Sequence, residues 1–583
     1  MFTKQQIQEE YIRWLKYAVE DKDLIEELKE MQEDGAKQED AFYRNLEFGT
    51  GGLRGVIGAG TNRMNIYTVA KASQGLAEYV KNHGGQKKGI AVSYDSRIKS
   101  DVFARVAAQV FAGNGIQVYI YDELMPTPCL SFAVRRLGCE AGIMVTASHN
   151  PSKYNGYKVY GSDGCQITTE AAAAILDEIE AVDIFEGILK MNFDEAVDCG
   201  RIRWISSEVT ADFVDCVKKQ SVLGALDQVD KDVAIVYSPL NGTGLKPVLR
   251  TLGESGFTNI TVVKEQEAPD GHFPTCPYPN PEIREAMALG IEYAKERDAD
   301  LLLATDPDCD RVGIAVKDEQ GNHVLLSGNE TGMLLLDYIC SRRRANGTMP
   351  EHPVMIKTIV TIDMAERIAA HYGVETKNVL TGFKFIGEQI GLLEEKGQES
   401  SYIFGFEESY GYLSGSYVRD KDGVNAAFLI CEMFAYYKAQ GISLWQKLKE
   451  LYQTYGYCLN TLHSFTFEGA AGFLRMKEIM ASLRQGIDMI GGKRVLECLD
   501  YSRGLDGLPK SDVLKFMLED YCSVVIRPSG TEPKMKVYLS VSAEDMEMAG
   551  RIEAEMAESF NLDQKMIVTA QNDGEFTKEI VET

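Results

Sequence analysis

The chain lacks any continuous apolar run of about 18 residues, so no membrane-spanning helix is predicted. Its first residues, Met1-Phe2-Thr3-Lys4, lack the basic segment and apolar core of a secretory signal peptide. The 12 cysteines form no Cys-x-x-Cys pair, and several, such as Cys340 and Cys431, stand in apolar runs. We therefore expect reduced thiols in the cores of a cytoplasmic protein, and no zinc site.

Positive charge is scarce in this sequence. Sixty-one Lys and Arg residues face 87 Asp and Glu residues, which gives a formal net charge of −26. Such a surface repels nucleic-acid phosphates, so we predict no nucleic-acid partner, and the lack of a long apolar run predicts no membrane partner. A small phosphorylated substrate is not excluded, because a few convergent Arg and Lys side chains are enough to bind it.

The length of 583 residues predicts about four domains. Three segments alternate short apolar strands with helices, which is typical of parallel α/β units with right-handed crossovers. These strand, helix and strand patterns cover 89–94, 100–113 and 116–121; 233–237, 245–253 and 260–263; and 354–360, 363–371 and a short strand near 374.

The two ends of the chain differ from these units. Residues 3 to 34 have the pattern of a helix that begins with a Thr3–Gln6 capping box and has an apolar face of Ile7, Tyr11, Leu15 and Ala18. The last segment predicts a helix over 472–485, strands over 522–527 and 535–541, and a helix over 543–559, which is an α+β layout. We expect a helical extension over 1–40, α/β domains over 41–208, 209–325 and 326–455, and an α+β domain over 456–583.

A candidate nucleophile lies in Thr146-Ala147-Ser148-His149-Asn150-Pro151, directly after the apolar run 141–145. A serine hydroxyl needs a base or a suitable charge environment to react. In an extended segment the His149 side chain points away from Ser148, so we do not expect His149 to act as that base. The absence of Gly-x-Ser-x-Gly argues against a hydrolase nucleophile elbow. A plain turn or helix cap at Ser148 is the alternative.

A candidate cation site follows a second apolar run, where Asp306, Asp308 and Asp310 alternate along the chain. Alternating carboxylates on an extended segment project to one side and suit a hard divalent cation. A calcium EF-hand loop does not fit, because its sixth and twelfth positions would be Arg311 and Lys317. A solvated acidic turn is the alternative. A nucleophile and a cation site at two strand ends together suit phosphoryl transfer.

Both motifs resemble those of the α-D-phosphohexomutase superfamily, which includes phosphoglucomutases and phosphomannomutases. Five further motifs resemble that family in the same order: Gly51-Gly52-Leu53-Arg54-Gly55, Asn155-Gly156-Tyr157-Lys158, Gly405-Phe406-Glu407-Glu408-Ser409, Arg419-Asp420-Lys421-Asp422-Gly423 and Arg527-Pro528-Ser529-Gly530-Thr531-Glu532-Pro533-Lys534. The resemblance implies three related α/β domains with mixed or parallel sheets, plus a C-terminal α+β domain, around a central cleft.

The resemblance also implies a mechanism. Ser148 would carry a phosphoryl group, and one Mg²⁺ would bind its oxygen together with the three aspartates, although Pro307 and Cys309 replace glycines common in relatives. Arg54 and Lys158 would flank the phosphoserine. We expect Lys158 to carry the proton of the transfer step, with Lys421 as a second candidate, since a lysine near other cations can have a lowered pKa.

Substrate binding is assigned by the same resemblance. Glu407 and Ser409 would hold the sugar hydroxyls at positions 3 and 4, and residues 381–384 would read the ring. The full predicted set is His149, Arg311, Thr381, Gly382, Lys384, Glu407 and Ser409, with Arg527, Ser529, Gly530, Thr531 and Lys534 as a cradle for the non-transferring phosphate. The residues after the first strand are Asp95, Ser96 and Arg97. They could cap the following helix or lie near the cleft, and the sequence leaves both alternatives open.

The length, the helical extension and residues 42–52 resemble a long branch with bacterial phosphoglucomutases and animal phosphopentomutases. No histidine stands in 381–384, which turns the prediction away from the branch that acts on both glucose and mannose phosphates. We predict an isomerase that interconverts glucose 1-phosphate and glucose 6-phosphate through a glucose 1,6-bisphosphate that also serves as activator. Phosphopentomutase, phosphomannomutase, glucose-1,6-bisphosphate synthase, a metal-dependent phosphatase and a non-catalytic sensor are the alternatives. We expect a monomer or a weak homodimer.

Overall fold

The computed structural model describes residues 2–49, 51–467, 469–505, 507–529, 534–560, 566–570 and 576–580. The α-helices are α1 (Lys4–Tyr17), α2 (Lys22–Glu30), α3 (Gly35–Phe42), α4 (Ile66–Asn82), α5 (Ser100–Gly113), α6 (Thr127–Leu137), α7 (Thr169–Ala181), α8 (Phe193–Asp198), α9 (Ser207–Lys218), α10 (Leu245–Glu254), α11 (Arg284–Glu296), α12 (Gly328–Ala345), α13 (Met364–His371), α14 (Phe383–Glu395), α15 (Gly423–Ala439), α16 (Leu444–Tyr455), α17 (Gly469–Leu483) and α18 (Met546–Glu558). The strands are β1 (Phe48–Gly49), β2 (Gly52–Val56), β3 (Ile90–Tyr94), β4 (Val118–Ile120), β5 (Ala141–Val145), β6 (Tyr154–Gly161), β7 (Ile202–Trp204), β8 (Ile235–Ser238), β9 (Ile260–Val262), β10 (Leu301–Thr305), β11 (Val312–Lys317), β12 (His323–Leu326), β13 (Val354–Thr358), β14 (Glu375–Val379), β15 (Tyr402–Phe406), β16 (Tyr412–Leu413), β17 (Tyr457–Thr466), β18 (Met489–Ile490), β19 (Lys493–Asp500), β20 (Leu514–Leu518), β21 (Ser523–Pro528), β22 (Lys534–Ala543), β23 (Met566–Ala570) and β24 (Phe576–Ile580).

The N-terminal extension is a set of short helices and not the single helix predicted over 3–34. The Thr3–Gln6 capping box does begin α1, but that helix ends at Tyr17, and Asp21 caps the start of α2. The buried face of α1 includes Trp14, which packs edge-on against Phe42, whereas Leu15 is 41% exposed. The prediction of Leu15 on the buried face was wrong because Trp14 occupies the contact with α3.

The first α/β sheet has the strand order β1-β2-β6-β5-β3-β4-β7. Its centre is parallel, since β3 pairs with β4 and β5 in parallel, while β6 runs antiparallel to β5 and β2. All five residues of β5 are buried, and the chain leaves this strand directly into the segment that carries Ser148. The position of that segment is therefore set by a central strand.

The second and third sheets are also mixed. Their strand orders are β12-β11-β10-β8-β9 and β14-β13-β15-β16. Every residue of β10 is buried, and Asp306 is the first residue after it. Strands β10 and β8 are parallel, and β13 pairs in parallel with both β14 and β15, as α/β crossovers require.

The C-terminal domain is built on an antiparallel sheet of order β17-β22-β21-β20-β19-β18, with α17 and α18 packed against it. Its attachment to the third domain includes polar contacts: Lys515 Nζ lies 3.0 Å from Asp363 Oδ1, and the Ser523 hydroxyl donates to Asp363 Oδ2 at 2.7 Å. The sheet orders confirm the predicted fold class of three α/β domains and a C-terminal α+β domain.

Two expectations about composition can be compared with the structure. All 12 cysteines are free thiols, and nine are buried, but Cys199 and Cys498 are exposed, so the expectation of core positions was wrong for these two. Within the described parts of the chain, no helix combines the length and apolar composition needed to span a bilayer.

Candidate active site

Ser148 is held in an unusual backbone conformation at the carboxyl end of β5. Its φ of 51° lies in the left-handed region, which few non-glycine residues adopt. Its backbone N–H donates to Thr146 Oγ1 at 2.8 Å, and its hydroxyl donates to Asp306 Oδ2 at 2.8 Å. The side chain is almost fully buried, with 4% of Ser148 exposed. A strained turn therefore directs this hydroxyl from the first domain onto the acidic triad of the second.

His149 lies closer to Ser148 than the sequence predicted. Its Nδ1 is 3.2 Å from Ser148 Oγ. The expectation that the two side chains diverge was wrong, because it assumed an extended backbone and Ser148 is left-handed. Burial, followed by the positive charges of Arg311 and Arg54, holds the pKa of His149 well below its usual value. The imidazole beside the nucleophile is therefore neutral near pH 7.

The three aspartates converge as the spacing predicted. Asp306, Asp308 and Asp310 are at most 2% exposed, and their candidate ligand atoms all lie within 4.8 Å of one another. Within the described residues, Asp308 Oδ1 and Asp310 Oδ1 are buried and accept no hydrogen bond. Unsatisfied carboxylate oxygens in an all-oxygen donor set fit a hard divalent cation, so the triad can hold a metal. Burial this deep also rules out the solvated acidic turn.

The surroundings of the triad shift the pKa values of Asp306 and Asp308 in opposite directions. Burial, together with the negative charges of Asp308 and Asp310, raises the pKa of Asp306 well above its usual value. Burial opposes ionisation of Asp308 as well, but the charge of Lys158 together with hydrogen bonds to Asp306, Lys158 and Thr127 outweighs it and lowers the pKa of that carboxyl. The Thr127 hydroxyl also donates to Asp308 Oδ2 at 2.9 Å. A strongly basic environment around the triad therefore compensates part of the negative charge of its carboxylates.

Two lysines supply that environment. Lys158 on β6 places Nζ 2.8 Å from Asp308 Oδ2, and Lys421 places Nζ 3.1 Å from Asp310 Oδ2. Burial opposes the charge on Lys158, but Asp308 and Asp310 outweigh it and raise the pKa of its ammonium group. The pKa of Lys421 is raised in the same way, chiefly by Asp310 against burial. The predicted lowering of the Lys158 pKa was therefore wrong for this arrangement, because carboxylates lie closer to it than any cation.

Arg54 is placed by a strand that tolerates only glycine at its start. Gly52 has φ of 143°, and a Cβ there would lie 1.9 Å from the carbonyl oxygen of Tyr157. This close approach of β2 to β6 puts Arg54 opposite Gly156 in the sheet register. The side chain of Arg54 is exposed, and its charge acts on both His149 and Arg97.

Arg97 is a residue whose role the sequence left open. It is 3% exposed, and its guanidinium group donates to the carbonyl oxygens of Ser148, Asn150, Pro151 and Tyr154. Two of these contacts, to Pro151 and Tyr154, measure 3.0 and 3.1 Å. Arg97 therefore clamps the Ser148 turn from its buried side.

The helix-cap alternative for Asp95, Ser96 and Arg97 was wrong, because Lys99 is the N-cap residue of α5 and that helix has no side-chain cap hydrogen bond. Asp95 Oδ1 accepts hydrogen bonds from the Arg97 N–H at 2.9 Å and from the Ser100 hydroxyl at 2.7 Å, just before α5. Phe273 of the second domain lies over the guanidinium carbon, with its ring centroid at 5.1 Å. Only the tertiary structure joins this local turn to the nucleophile.

A cavity of about 660 Å³ opens beside the triad and is lined by all four domains. Its lining includes the predicted residues His149, Arg311, Thr381, Gly382, Lys384, Glu407, Ser409, Lys421 and Arg527. The Gly382 N–H donates to Glu407 Oε1 at 3.1 Å, which links the predicted ring-reading loop to the predicted hydroxyl ligand. Burial raises the pKa of Glu407 to about 7, against the opposing charge of Lys421. Glu407 follows β15 directly, Ser409 stands in the turn after it, and both line the cavity.

The C-terminal domain contributes a basic wall to this cavity. Arg527 Nη2 donates to the Tyr538 hydroxyl at 3.0 Å, and Arg527 pairs with Lys536 in the sheet register. Lys536 also lines the cavity and was missed by the sequence analysis, although its alternation with Tyr538 along β22 was the available signal. The Ser529 N–H donates to the Lys534 carbonyl at 2.7 Å. Gly530 and Thr531 of the predicted cradle lie outside the described residues.

The chain is similar in sequence to known proteins along most of its length. Family models described as phosphoglucomutase/phosphomannomutase, alpha/beta/alpha domains I, II and III, match residues 45–184, 211–321 and 327–455. The chain is 37% identical over 536 residues to a phosphoglucomutase of Staphylococcus saprophyticus, an alignment that covers 90% of this chain and 95% of that protein. The chain belongs to the phosphoglucomutase/phosphomannomutase family. The predicted superfamily is thereby confirmed.

Further members of the family agree. A phosphoglucomutase of Staphylococcus aureus strain MRSA252 is 37% identical over 551 residues, or 92% of this chain and 96% of that protein. The open form of the phosphoglucomutase parafusin from Paramecium shares the fold with a TM-score of 0.68 at 18% identity, and the match covers 90% of this chain and 95% of that one. A phosphoglucomutase/phosphomannomutase family protein of Burkholderia thailandensis gives 0.66 at 19% identity, over 88% and 97% of the two chains.

Proposed function

We propose that this enzyme is a phosphosugar mutase that interconverts α-D-glucose 1-phosphate and glucose 6-phosphate. One observation carries the proposal: the Ser148 hydroxyl of the first domain lies 2.8 Å from Asp306 of the acidic triad in the second domain. A nucleophile and a candidate cation site thus share one point beside a cavity lined by four domains. The similarity to staphylococcal phosphoglucomutases over nine-tenths of the chain supports glucose phosphates as substrates.

We assign one Mg²⁺ to Asp306, Asp308 and Asp310, together with an oxygen of phosphorylated Ser148. Three buried carboxylates, two of them with an oxygen that accepts no hydrogen bond within the described residues, suit this hard cation. When bound, the cation would neutralise part of the charge on the transferring phosphoryl group. Further positive charge around the phosphoryl group would come from Lys158, Lys421, Arg54 and Arg311.

The reaction conserves one phosphoryl group on the enzyme. The P–O bond to Ser148 Oγ breaks as a sugar hydroxyl oxygen bonds to phosphorus, and the proton of that hydroxyl is the proton that Ser148 Oγ gains. The resulting glucose 1,6-bisphosphate turns round and returns its other phosphoryl group to Ser148. The Glu407 and Ser409 side chains would hold ring hydroxyls, and Arg527 with its neighbouring loop would hold the distal phosphate in both orientations.

The first test replaces the nucleophile. Ser148→Ala should lower kcat by at least about a thousandfold, because no phosphoenzyme can form. Intact-mass spectrometry of the wild-type enzyme should show a fraction about 80 Da heavier, and the variant should lack it. Ser152→Ala, in the same segment, is the matched control and should keep both activity and the heavier fraction. Near-native turnover by Ser148→Ala would refute the proposal.

The second measurement identifies the sugar and the reaction class. A coupled assay should compare glucose 1-phosphate, mannose 1-phosphate and ribose 1-phosphate, with Mg²⁺ and a trace of glucose 1,6-bisphosphate as activator. The proposal expects the highest kcat/KM with glucose 1-phosphate and no accumulation of inorganic phosphate. Release of one phosphate for each substrate consumed would instead identify a phosphatase.

A further inference from the structure

Glu282 faces the same cavity from a loop of the second domain. Its carboxylate accepts a close hydrogen bond from Arg311 Nη1, and both residues line the cavity. The loop is fixed beneath it: the Glu282 N–H donates to Asn280 Oδ1 at 3.2 Å, and a Cβ on Gly313 would lie 2.5 Å from the Pro281 carbonyl oxygen. The carboxylate is therefore presented by a packed turn and not by a free surface side chain.

Arg311 is bound to the acidic triad by its backbone and to Glu282 by its side chain. Its N–H donates to Asp306 Oδ1 at 3.0 Å, which fixes where the side chain begins. Its guanidinium Nε lies 3.9 Å from Asp310 Oδ1, a longer contact to a member of the triad. The side chains of Glu282 and Arg311 are 28% and 17% exposed, so this pair is partly shielded from water. Glu282 is thus a close anionic partner of Arg311 from outside the triad.

We propose that Glu282 is a resident counter-ion, which occupies the guanidinium group of Arg311 until a phosphate group replaces it. This inference rests on the proposed function, in which Arg311 faces phosphate. A partly buried guanidinium group needs an anion, and a phosphate offers it a two-pronged contact that a single carboxylate oxygen does not. Because Glu282 competes with phosphate, it weakens phosphate binding at this point.

The competition has a use in a mutase. A sugar bisphosphate must release its first phosphate contact, turn round and bind again, which tight binding at Arg311 would slow. When phosphate leaves, the Glu282 carboxylate pairs with Arg311 again, and this pairing stabilises the state in which Arg311 binds no phosphate. Glu282 acts through Arg311, so it is a positioning residue and not a catalytic one.

The test measures the affinity for inorganic phosphate by isothermal titration calorimetry. Glu282→Gln keeps the side-chain shape and a hydrogen-bond acceptor but removes the competing charge. It should bind phosphate about three- to tenfold more tightly than the wild-type enzyme. Glu285→Gln, an exposed charge at the start of α11, is the matched control and should leave the affinity unchanged. Equal or weaker binding by Glu282→Gln would overturn the proposal.

A double variant shows whether the effect runs through Arg311. In an Arg311→Gln background, adding Glu282→Gln should change the phosphate affinity by less than about twofold. If Glu282→Gln raised the phosphate affinity as much in that background as in the wild-type enzyme, or if Glu285→Gln raised it equally, only the net charge would matter and the pairing would be refuted. Glu282→Ala provides a second variant should the glutamine protein be poorly folded, and it should also bind phosphate more tightly.

Turnover provides a separate measurement. In Glu282→Gln the KM for glucose 1-phosphate should fall together with kcat, because binding tightens while reorientation slows. Calorimetry needs no turnover, so it decides the role of Glu282 by itself. Absence of mutase activity in the wild-type enzyme would refute the proposed function, whereas normal mutase activity with unchanged phosphate affinity in the variant would refute only the counter-ion.

Discussion

Arg97→Lys is the substitution that best tests how the nucleophile is positioned. The arginine donates to four carbonyl oxygens in the turn, those of Ser148, Asn150, Pro151 and Tyr154. A lysine keeps the charge but has three donors at one point, so it reaches about half of these acceptors. With about 1–1.5 kcal/mol for each of the two hydrogen bonds lost, the turn loses about 2–3 kcal/mol of support. That support is what holds Ser148 at a φ of 51°.

The loss should appear in the chemical step. A reduction of about 2–3 kcal/mol corresponds to a decrease in kcat of about 30- to 150-fold if it falls wholly on the positioning of Ser148. The KM for the sugar phosphate should change little, because Arg97 does not line the cavity. Steady-state kinetics separates the two constants, and urea unfolding measures the accompanying change in the free energy of unfolding.

A control keeps the interpretation specific. Arg63 also donates to backbone carbonyls, those of Asp40 and Asn62, and lies outside the cavity. Arg63→Lys should therefore retain the wild-type kcat even if it loses some stability. If Arg97→Lys turned over at the wild-type rate, the turn would hold Ser148 without the clamp, and the assignment of Arg97 as a positioning residue would fail.

Two further predictions concern buried carboxyl groups. Burial raises the pKa of Glu407 to about 7. The ionised acceptor is therefore lost as the pH falls through 7, and KM should rise up to about tenfold per pH unit below that value. The KM of Glu407→Gln should lack this pH dependence, and an identical pH profile of KM for both enzymes would contradict the role. Asp363→Asn breaks the buried contacts to Lys515 and Lys357, which should lower the free energy of unfolding by about 3–5 kcal/mol and raise KM as the C-terminal domain loosens. Denaturant unfolding and limited proteolysis measure the second effect, and an unchanged stability with an unchanged KM would contradict it.

Much of the architecture is visible in local sequence patterns. The periodicity predicted α5 over 100–113, where the helix is found, because an amphipathic repeat and its flanking strand are local properties. The alternation of Asp306, Asp308 and Asp310 predicted carboxylates on one side, and the structure confirms that they converge. The boundary of the first helix was missed, since α1 ends at Tyr17 and the Asp21 side chain caps a separate α2, a cap that the sequence analysis did not single out.

Local reasoning failed where a contact joins distant parts of the chain. The His149 side chain reaches Ser148 in a left-handed turn whose carbonyl oxygens accept hydrogen bonds from Arg97, some fifty residues earlier. Lys158 keeps its proton because two carboxylates from another domain surround it, which no neighbouring residue in the sequence reveals. Such charge environments are set by through-space distances and burial, and a sequence pattern contains neither.

The sequence by itself determined the chemical parts of this enzyme: a serine after one apolar strand, three spaced carboxylates after another, and the family to which their order belongs. Residue type and spacing suffice for that, since strand periodicity decides which side chains share a face. Only the tertiary structure decided that Ser148 meets Asp306, that Arg97 supports the meeting, and that Glu282 occupies Arg311. Those pairings join residues that lie far apart in the sequence, so their distances exist only in the assembled molecule.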